Sequence, residues 1–253
     1  KLGALNLKEV TIVAGEMGEL ESGQLYESND ADEIPNNALK EKQSLTSLVL
    51  PDLLNKIGQH SFDECRNISG SLNIPEGVES IGIAAFRECN SLNGTLTLPS
   101  TLKSIGHDGS ITTNHYDGAF YNCGFVCELK LPDNLEHIGS GSFGMCKNLY
   151  GELRLPDGLK TIGVRAFVEC KNLAGDLIIP QGVTRIPMEC FSGSKLGGTL
   201  SLHDGITTIE EKAFANTGLK GELRLPKDLE VISKEAFYGC DFSGVLVLPK
   251  NLY

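Results

Sequence analysis

The sequence predicts a repeat solenoid: a right-handed superhelix of 23–24-residue coils, mostly short parallel β-strands with short helical turns. Three columns of residues at one period predict it. A Leu-x-Leu/Ile-Pro pattern places proline at Pro51, Pro75, Pro99, Pro132, Pro156, Pro180, Pro226 and Pro249, with His203 in the ninth slot. The steps between them are 24, 24, 33, 24, 24, 23, 23 and 23 residues. Six residues after each of the first eight comes an isoleucine, from Ile57 to Ile232, and a phenylalanine column runs from Phe62 to Phe237.

Each element of the unit has a physical reason. In Leu96-Thr97-Leu98 the two leucines point to one face and Thr97 to the other, the period of a strand. Pro99 has no N–H and ends that strand. Leu102 and Ile105 turn back inward, and Gly106 permits the next bend. Ala85-Phe86 sets a small residue beside a large plug, expected within a short helical turn. One coil cannot bury such a set alone, so neighbours must stack above and below it, ~4.8 Å apart.

Composition bounds the function. The chain has 253 residues, 40% hydrophobic and 22% charged, as expected of a folded chain. A net charge of -11 argues against nucleic acid and anionic membranes as partners. No apolar run approaches the roughly 20 residues of a membrane span. There is no initial Met or signal peptide, which suggests a mature or trimmed form. The final Pro249-Lys250-Asn251-Leu252-Tyr253 stops mid-coil, so a continuing chain or a second chain is expected to cover that end.

The Ile-Gly-x-x-Ala-Phe-x-x-Cys core, as in Ile81-Gly82-Ile83-Ala84-Ala85-Phe86-Arg87-Glu88-Cys89, resembles the BspA-type leucine-rich repeats of bacterial cell-surface proteins. The resemblance covers residues 45–253, and Leu92-Asn93-Gly94 is also similar to plant extracellular leucine-rich repeats. It implies a secreted or surface location and adhesion or host-protein binding. It implies no reaction and no cofactor.

Departures from the pattern are the places to look for function. Residues 1–44 read as an acidic cap with a degenerate first repeat: Leu5-Asn6-Leu7 as its strand and Ile34-Pro35-Asn36-Asn37-Ala38-Leu39 as its turn, with Leu39 for Phe. Residues 9–39 hold eight acids and no Lys or Arg. A Ca²⁺ reading around Asn29, Asp30, Asp32 and Glu33 lacks the glycine and distal Glu of an EF-hand, so a solvated cap is the preferred reading. An insertion at 107–117 carries His107, Asp108, His115, Tyr116 and Asp117. These residue types suit Zn²⁺, and a metal-dependent hydrolase using this loop is one reading. The two histidines lack a helical ligand spacing and no Glu stands as a base, so a protein-contact loop is preferred.

Six of the eight cysteines (Cys65, Cys89, Cys123, Cys146, Cys170, Cys240) share one column, in which Ser194 and Thr217 also stand. That tolerance and the coil spacing predict free thiols in a small, semi-buried slot. Only Cys123 and Cys127 remain a pair to test for a bridge.

No G-x-S-x-G, Walker A or H-E-x-x-H string occurs, and an open solenoid surface offers no pocket in which catalytic groups converge. A binding module is therefore expected. The outward strand positions carry Glu128/Lys130, Glu152/Arg154, Asp176 and Glu222/Arg224, acid and base alternating and able to satisfy each other across strands. These residues, with His107, His115 and Tyr116, form the expected contact set for a protein ligand such as a host extracellular or mucosal protein. A carbohydrate partner is the alternative. It would need exposed aromatic platforms, yet Trp is absent and eight of ten Phe are core plugs.

Overall fold

The computed structural model describes residues 32–106 and 116–253, and outside these only the backbone of three short strands, Leu5–Asn6, Met17–Glu19 and Leu25–Glu27. The architecture is a parallel-strand solenoid of about nine turns, three-sided in each coil. A Leu side, an Ile side and a Phe turn enclose one continuous core.

The Ile side is the most regular ladder, and the sequence had suggested only that these isoleucines point inward. Glu33–Ile34, Lys56–Ile57, Ser80–Ile81, Ser104–Ile105, His137–Ile138 and Thr161–Ile162 pair in parallel register, isoleucine on isoleucine. Arg185–Ile186, Thr208–Ile209 and Val231–Ile232 form a second run of three. The break between the runs has a chemical cause. Gly58, Gly82, Gly106, Gly139 and Gly163 each donate a backbone N–H to the isoleucine carbonyl of the preceding coil. The next residue in that column is Pro187, which has no N–H to give to Ile162. Glu210 then resumes the pattern by donating to Ile186.

The Leu side is paired more loosely. Leu5–Asn6 pairs with Leu48–Val49, Leu72–Asn73 with Leu96–Thr97, and Tyr150–Glu152 with Asn172–Ile178, which pairs in turn with Gly197–Ser201. Lys220–Glu222 pairs with Asp241–Ser243. Around Glu128 the ladder thins to a single bridge with Tyr150. From Leu48 to Leu225 the outward residues of this side are largely exposed while the leucines between them pack inward; in the last coil Leu246 and Leu248 are themselves exposed.

The Phe turn corrects one expectation. No helix occurs among the described residues, and the Ala-Phe segment is a string of tight turns. The residues two before and two after each Phe of the column are left-handed, Gly118 before Phe120 excepted: His60 and Glu64 have φ of 52° and 57°, Ala84 and Glu88 of 53° and 61°, Arg165 and Glu169 of 58° each. A helix needs consecutive right-handed residues, so the alternation forbids one. Each left-handed non-glycine residue costs about 1–2 kcal/mol. The alternation offsets that cost by turning every second N–H along the solenoid axis. His60, Phe62 and Glu64 donate to the carbonyls of Ile83, Ala85 and Arg87 in the next coil, at 2.7–2.8 Å. The intervening Asp63 and Cys65 close turns within their own coil.

Inside, the phenylalanines stack. Phe62, Phe86, Phe120, Phe143, Phe167, Phe191, Phe214 and Phe237 lie with successive centroids 5.1–5.6 Å apart and planes within 22°. Leu39 is buried at the head of that column, and its N–H donates to Ser61 as the Phe N–H groups from Phe62 to Phe214 donate to their successor coils.

All eight cysteines are free, Cys123 and Cys127 included. Their column is more deeply buried than the sequence suggested. The thiols of Cys89, Cys123, Cys146 and Cys170 donate to the carbonyls of Phe62, Phe86, Phe120 and Phe143 in the preceding coil, at 3.0–3.1 Å. Ser194 makes the same bond to Phe167 at 2.6 Å, which is why a hydroxyl can stand there.

Candidate binding surface

The Leu side presents two outward positions per coil because its strand places residues i and i+2 on one face. Glu152 and Arg154 lie 2.7 Å apart, Glu222 and Arg224 3.1 Å, and Glu128 and Lys130 3.2 Å. These contacts run along one strand, not across strands as the sequence suggested. The long side chains bridge the i, i+2 spacing, about 7 Å, more easily than they align with the neighbouring coil. All six residues are exposed, so each pair contributes under about 1 kcal/mol to stability.

Asp176 behaves differently. One carboxylate oxygen accepts from the Thr199 N–H at 2.6 Å and from the Thr199 hydroxyl at 2.9 Å. These bonds, the backbone one first, hold its carboxyl below the ordinary range. Ser71 and Thr95 repeat the motif nearer the N-terminus.

Among the described residues, this side carries shallow hollows, of which two are built alike. One, of ≈ 370 Å³, is lined by Glu152, Leu153, Arg154, Leu155, Asp157, Asp176, Ile178 and Pro180. The other, of ≈ 260 Å³, is lined by Glu222, Leu223, Arg224, Leu225, Lys227, Val245, Val247 and Pro249.

Of the inserted loop, His107, Asp108 and His115 lie outside the described residues. Tyr116 is half exposed, with the Arg165 guanidinium 4.9 Å from its ring centroid and Tyr121 edge-on at 5.7 Å. Asp117 lies 3.8 Å from Arg87. The loop's return is therefore tied to two arginines of the Phe-turn side.

Arg87 belongs to an ionic cluster that the sequence did not reveal. The side chain of Asp63 is fully buried; it meets Arg87 at 2.8 Å, His60 at 2.9 Å and Lys40 at 3.3 Å, and Arg87 also reaches Glu64 at 2.9 Å. Burial pushes the Asp63 carboxyl up, but the hydrogen bonds of His60 and Arg87 outweigh it and hold the group below its usual value. The available signal was an acid in a column that elsewhere holds Arg87, Tyr121, Gly144, Val168, Ser192, Ala215 and Tyr238. Without coordinates nothing placed Lys40 beside it. The cluster has no nucleophile: the nearby Ser61 hydroxyl is buried and donates to Gly58 and Pro35 carbonyls.

Asn29 and Asp30 lie outside the described residues, while Glu33 is buried and paired with Lys56 at 2.9 Å. Among the described residues no group of three or more His, Cys, Asp or Glu could hold a metal ion. No helix among them is long and apolar enough to cross a membrane.

A stack of coils with leucine, isoleucine and phenylalanine ladders inside and paired charges outside is a leucine-rich-repeat solenoid. The chain belongs to the BspA-type leucine-rich repeat family: the profile of the BspA type leucine rich repeat region matches six copies over residues 29–109 and 113–243. The fold is similar to the T. pallidum leucine rich repeat protein TpLRR, 25% identical with a TM-score of 0.53, covering 78% of this chain and 81% of that one. It is also similar to a leucine rich cell surface protein from Faecalibacterium prausnitzii A2-165, 20% identical with a TM-score of 0.43, over 86% of this chain and 72% of that one. A leucine-rich repeat protein from Bacteroides ovatus matches at 19% identity and a TM-score of 0.41, over 100% of this chain and 82% of that one. A search of curated protein sequences returns no match.

Proposed function

We propose that the chain is a non-catalytic, surface-displayed binding module that recognises a protein partner through the Leu side and the inserted loop. The single observation that carries this reading is the Leu side itself. It is an exposed, charge-patterned strip over rigid ladders, with open hollows and no convergence of nucleophile, base and oxyanion donor. Display at the cell surface follows from the family resemblance. Residues 1–44 serve as an acidic cap on the stack. The contact set is Glu128, Lys130, Glu152, Arg154, Asp176, Glu222 and Arg224, with His107, His115 and Tyr116 of the loop.

Protein is favoured over carbohydrate because aromatic side chains are scarce on the Leu side: of the exposed tyrosines among the described residues, only Tyr150 borders it. Biolayer interferometry against purified extracellular-matrix and mucosal proteins, beside a glycan array, tests the proposal. The expected result is a protein hit that the double variant Arg154→Glu, Arg224→Glu abolishes. Glycan hits with no protein hit, or a protein hit indifferent to the double variant, would overturn it.

A further inference from the structure

The hexapeptide Gly-Glu-Leu-Arg-Leu-Pro occurs twice, at Gly151–Pro156 and Gly221–Pro226, and each copy floors and walls one of the two hollows. One coil on, each copy faces a β-branched aliphatic in the second outward position: Ile178, 65% exposed, and Val247, 72% exposed. The coils that follow the other Leu-side strands put Val49, Asn73, Thr97, Lys130, Arg154, Ser201 and Arg224 in that position; of these only Val49 is aliphatic, 45% exposed, and the strand before it, Leu5–Asn6, does not carry the hexapeptide. A single exposed aliphatic needs no explanation. The same six residues followed by the same kind of exposed side chain, twice, does.

The spacing says what kind of chain would fit. Ile178 and Val247 are three coils apart, through Ser201 and Arg224, which is ~14 Å at ~4.8 Å per coil. An extended peptide advances about 3.3 Å per residue, so its residues i and i+4 are ~13 Å apart and point to the same face. A helix rises about 1.5 Å per residue, so its same-face residues i+7, i+8 and i+11 fall at about 10.5, 12 and 16.5 Å from residue i, each further from the required distance than the extended spacing. The first hollow also carries a charge preference. Its lining holds Glu152, Asp157 and Asp176 against Arg154 alone. The second holds Glu222 with Arg224 and Lys227, and Lys227 is paired to Asp204 at 2.9 Å.

We infer that the Leu side takes an extended segment of its protein partner lying along the solenoid axis, with aliphatic side chains at i and i+4 seated against Ile178 and Val247 and a lysine or arginine beside the first. This rests on the protein-binding reading above and specifies its ligand. The Glu–Arg pairs flank each seat as polar walls, and the leucines and prolines beneath give it an apolar floor.

Panning the full chain with a random linear dodecapeptide library tests it, the selected peptides then being titrated by fluorescence anisotropy against the parent and Ile178→Asp. Because Ile178 is exposed, the variant should keep the parent's melting curve, which is checked by circular dichroism. The expected result is enrichment of aliphatic pairs at i, i+4 with an adjacent base, and a loss of affinity of about tenfold or more in Ile178→Asp. No enriched peptide, enrichment without that spacing, or affinities unchanged in Ile178→Asp would overturn the inference. A folded matrix protein still released by Arg154→Glu, Arg224→Glu would then leave the broader protein-binding reading standing.

Discussion

Replacing Phe167 by alanine removes a ring with no exposed surface, held between Phe143 at 5.5 Å and Phe191 at 5.6 Å with planes 10° and 2° apart. Truncating a fully buried Phe costs about 3–5 kcal/mol, the lost transfer energy plus the cavity left behind. Relaxation is poor here because the rings above and below are pinned by their own coils. The Phe N–H groups from Phe62 to Phe214 donate to the next coil, Phe143 to Ala166 and Phe167 to Cys190, both at 2.8 Å. The loss should therefore fall in the upper half of that range. Phe167→Leu is the informative partner, because Leu39 already occupies this column and is buried there. A near-volume-conserving swap should cost less than about 1.5 kcal/mol. Guanidinium denaturation followed by circular dichroism measures both, since the chain has no Trp to report by fluorescence. If Phe167→Ala came within about 1 kcal/mol of the parent, the Phe column would not be the core described. If Phe167→Leu cost as much as alanine, ring stacking, not volume, would be what holds the column.

Three further outcomes follow from the same geometry. Burial pushes the Cys146 thiol up to about 12 and the Cys65 thiol to about 11, so a thiol reagent at pH 8 should leave the seven buried cysteines unmodified in the native state and reach all eight in denaturant; rapid labelling of several native thiols would contradict the burial. The Asp63 carboxyl titrates below its ordinary 3.8, so its contribution to stability is complete above that pH and is lost as pH falls through the lower folded-state value; Asp63→Asn should cost about 1.5–3 kcal/mol at pH 7, and the gap to the parent, read from urea curves across pH 2–7, should close in strong acid. A methyl group on Gly118 would overlap the Gly141 carbonyl, so Gly118→Ala should destabilise by about 1–3 kcal/mol or more in thermal melts, and an unchanged melting temperature would show that the loop does not return as described.

The ladders were legible because burial imposes a strict period: every Leu, Ile and Phe that faces the core must recur at the coil length. What happened between those residues was less so. The short helical turn assigned to Ala85-Phe86 failed because side-chain periodicity does not report φ. A clue was present, since neither left-handed column contains Val, Ile or Thr and one holds Asn122, Gly193, Asn216 and Gly239. Pro187 was visible as a residue, but its effect on the Ile side required knowing that its column donates an N–H to the preceding coil. On the candidate surface, alternation of strand residues placed Glu152, Arg154, Asp176, Glu222 and Arg224 outside. It did not foresee that the Glu–Arg contacts run along one strand, or that Asp176 is engaged by Thr199. The Asp63 cluster joins residues from Lys40 to Arg87, and only the stacking of coils brings them together.

The most direct test of the account is a set of distances along one outward column, measured by pulsed electron paramagnetic resonance with spin labels on cysteines introduced pairwise at Ser71, Thr199 and Glu222. The half-buried Cys240 is first replaced by serine, and the seven buried native thiols should stay unlabelled. Thr199 is five coils from Ser71 and Glu222 six, so backbone separations of ~24 and ~29 Å are expected, rising by one coil spacing. Equal distances for the two pairs, or a shorter one for the more distant coil, would mean that the coils do not stack in parallel register.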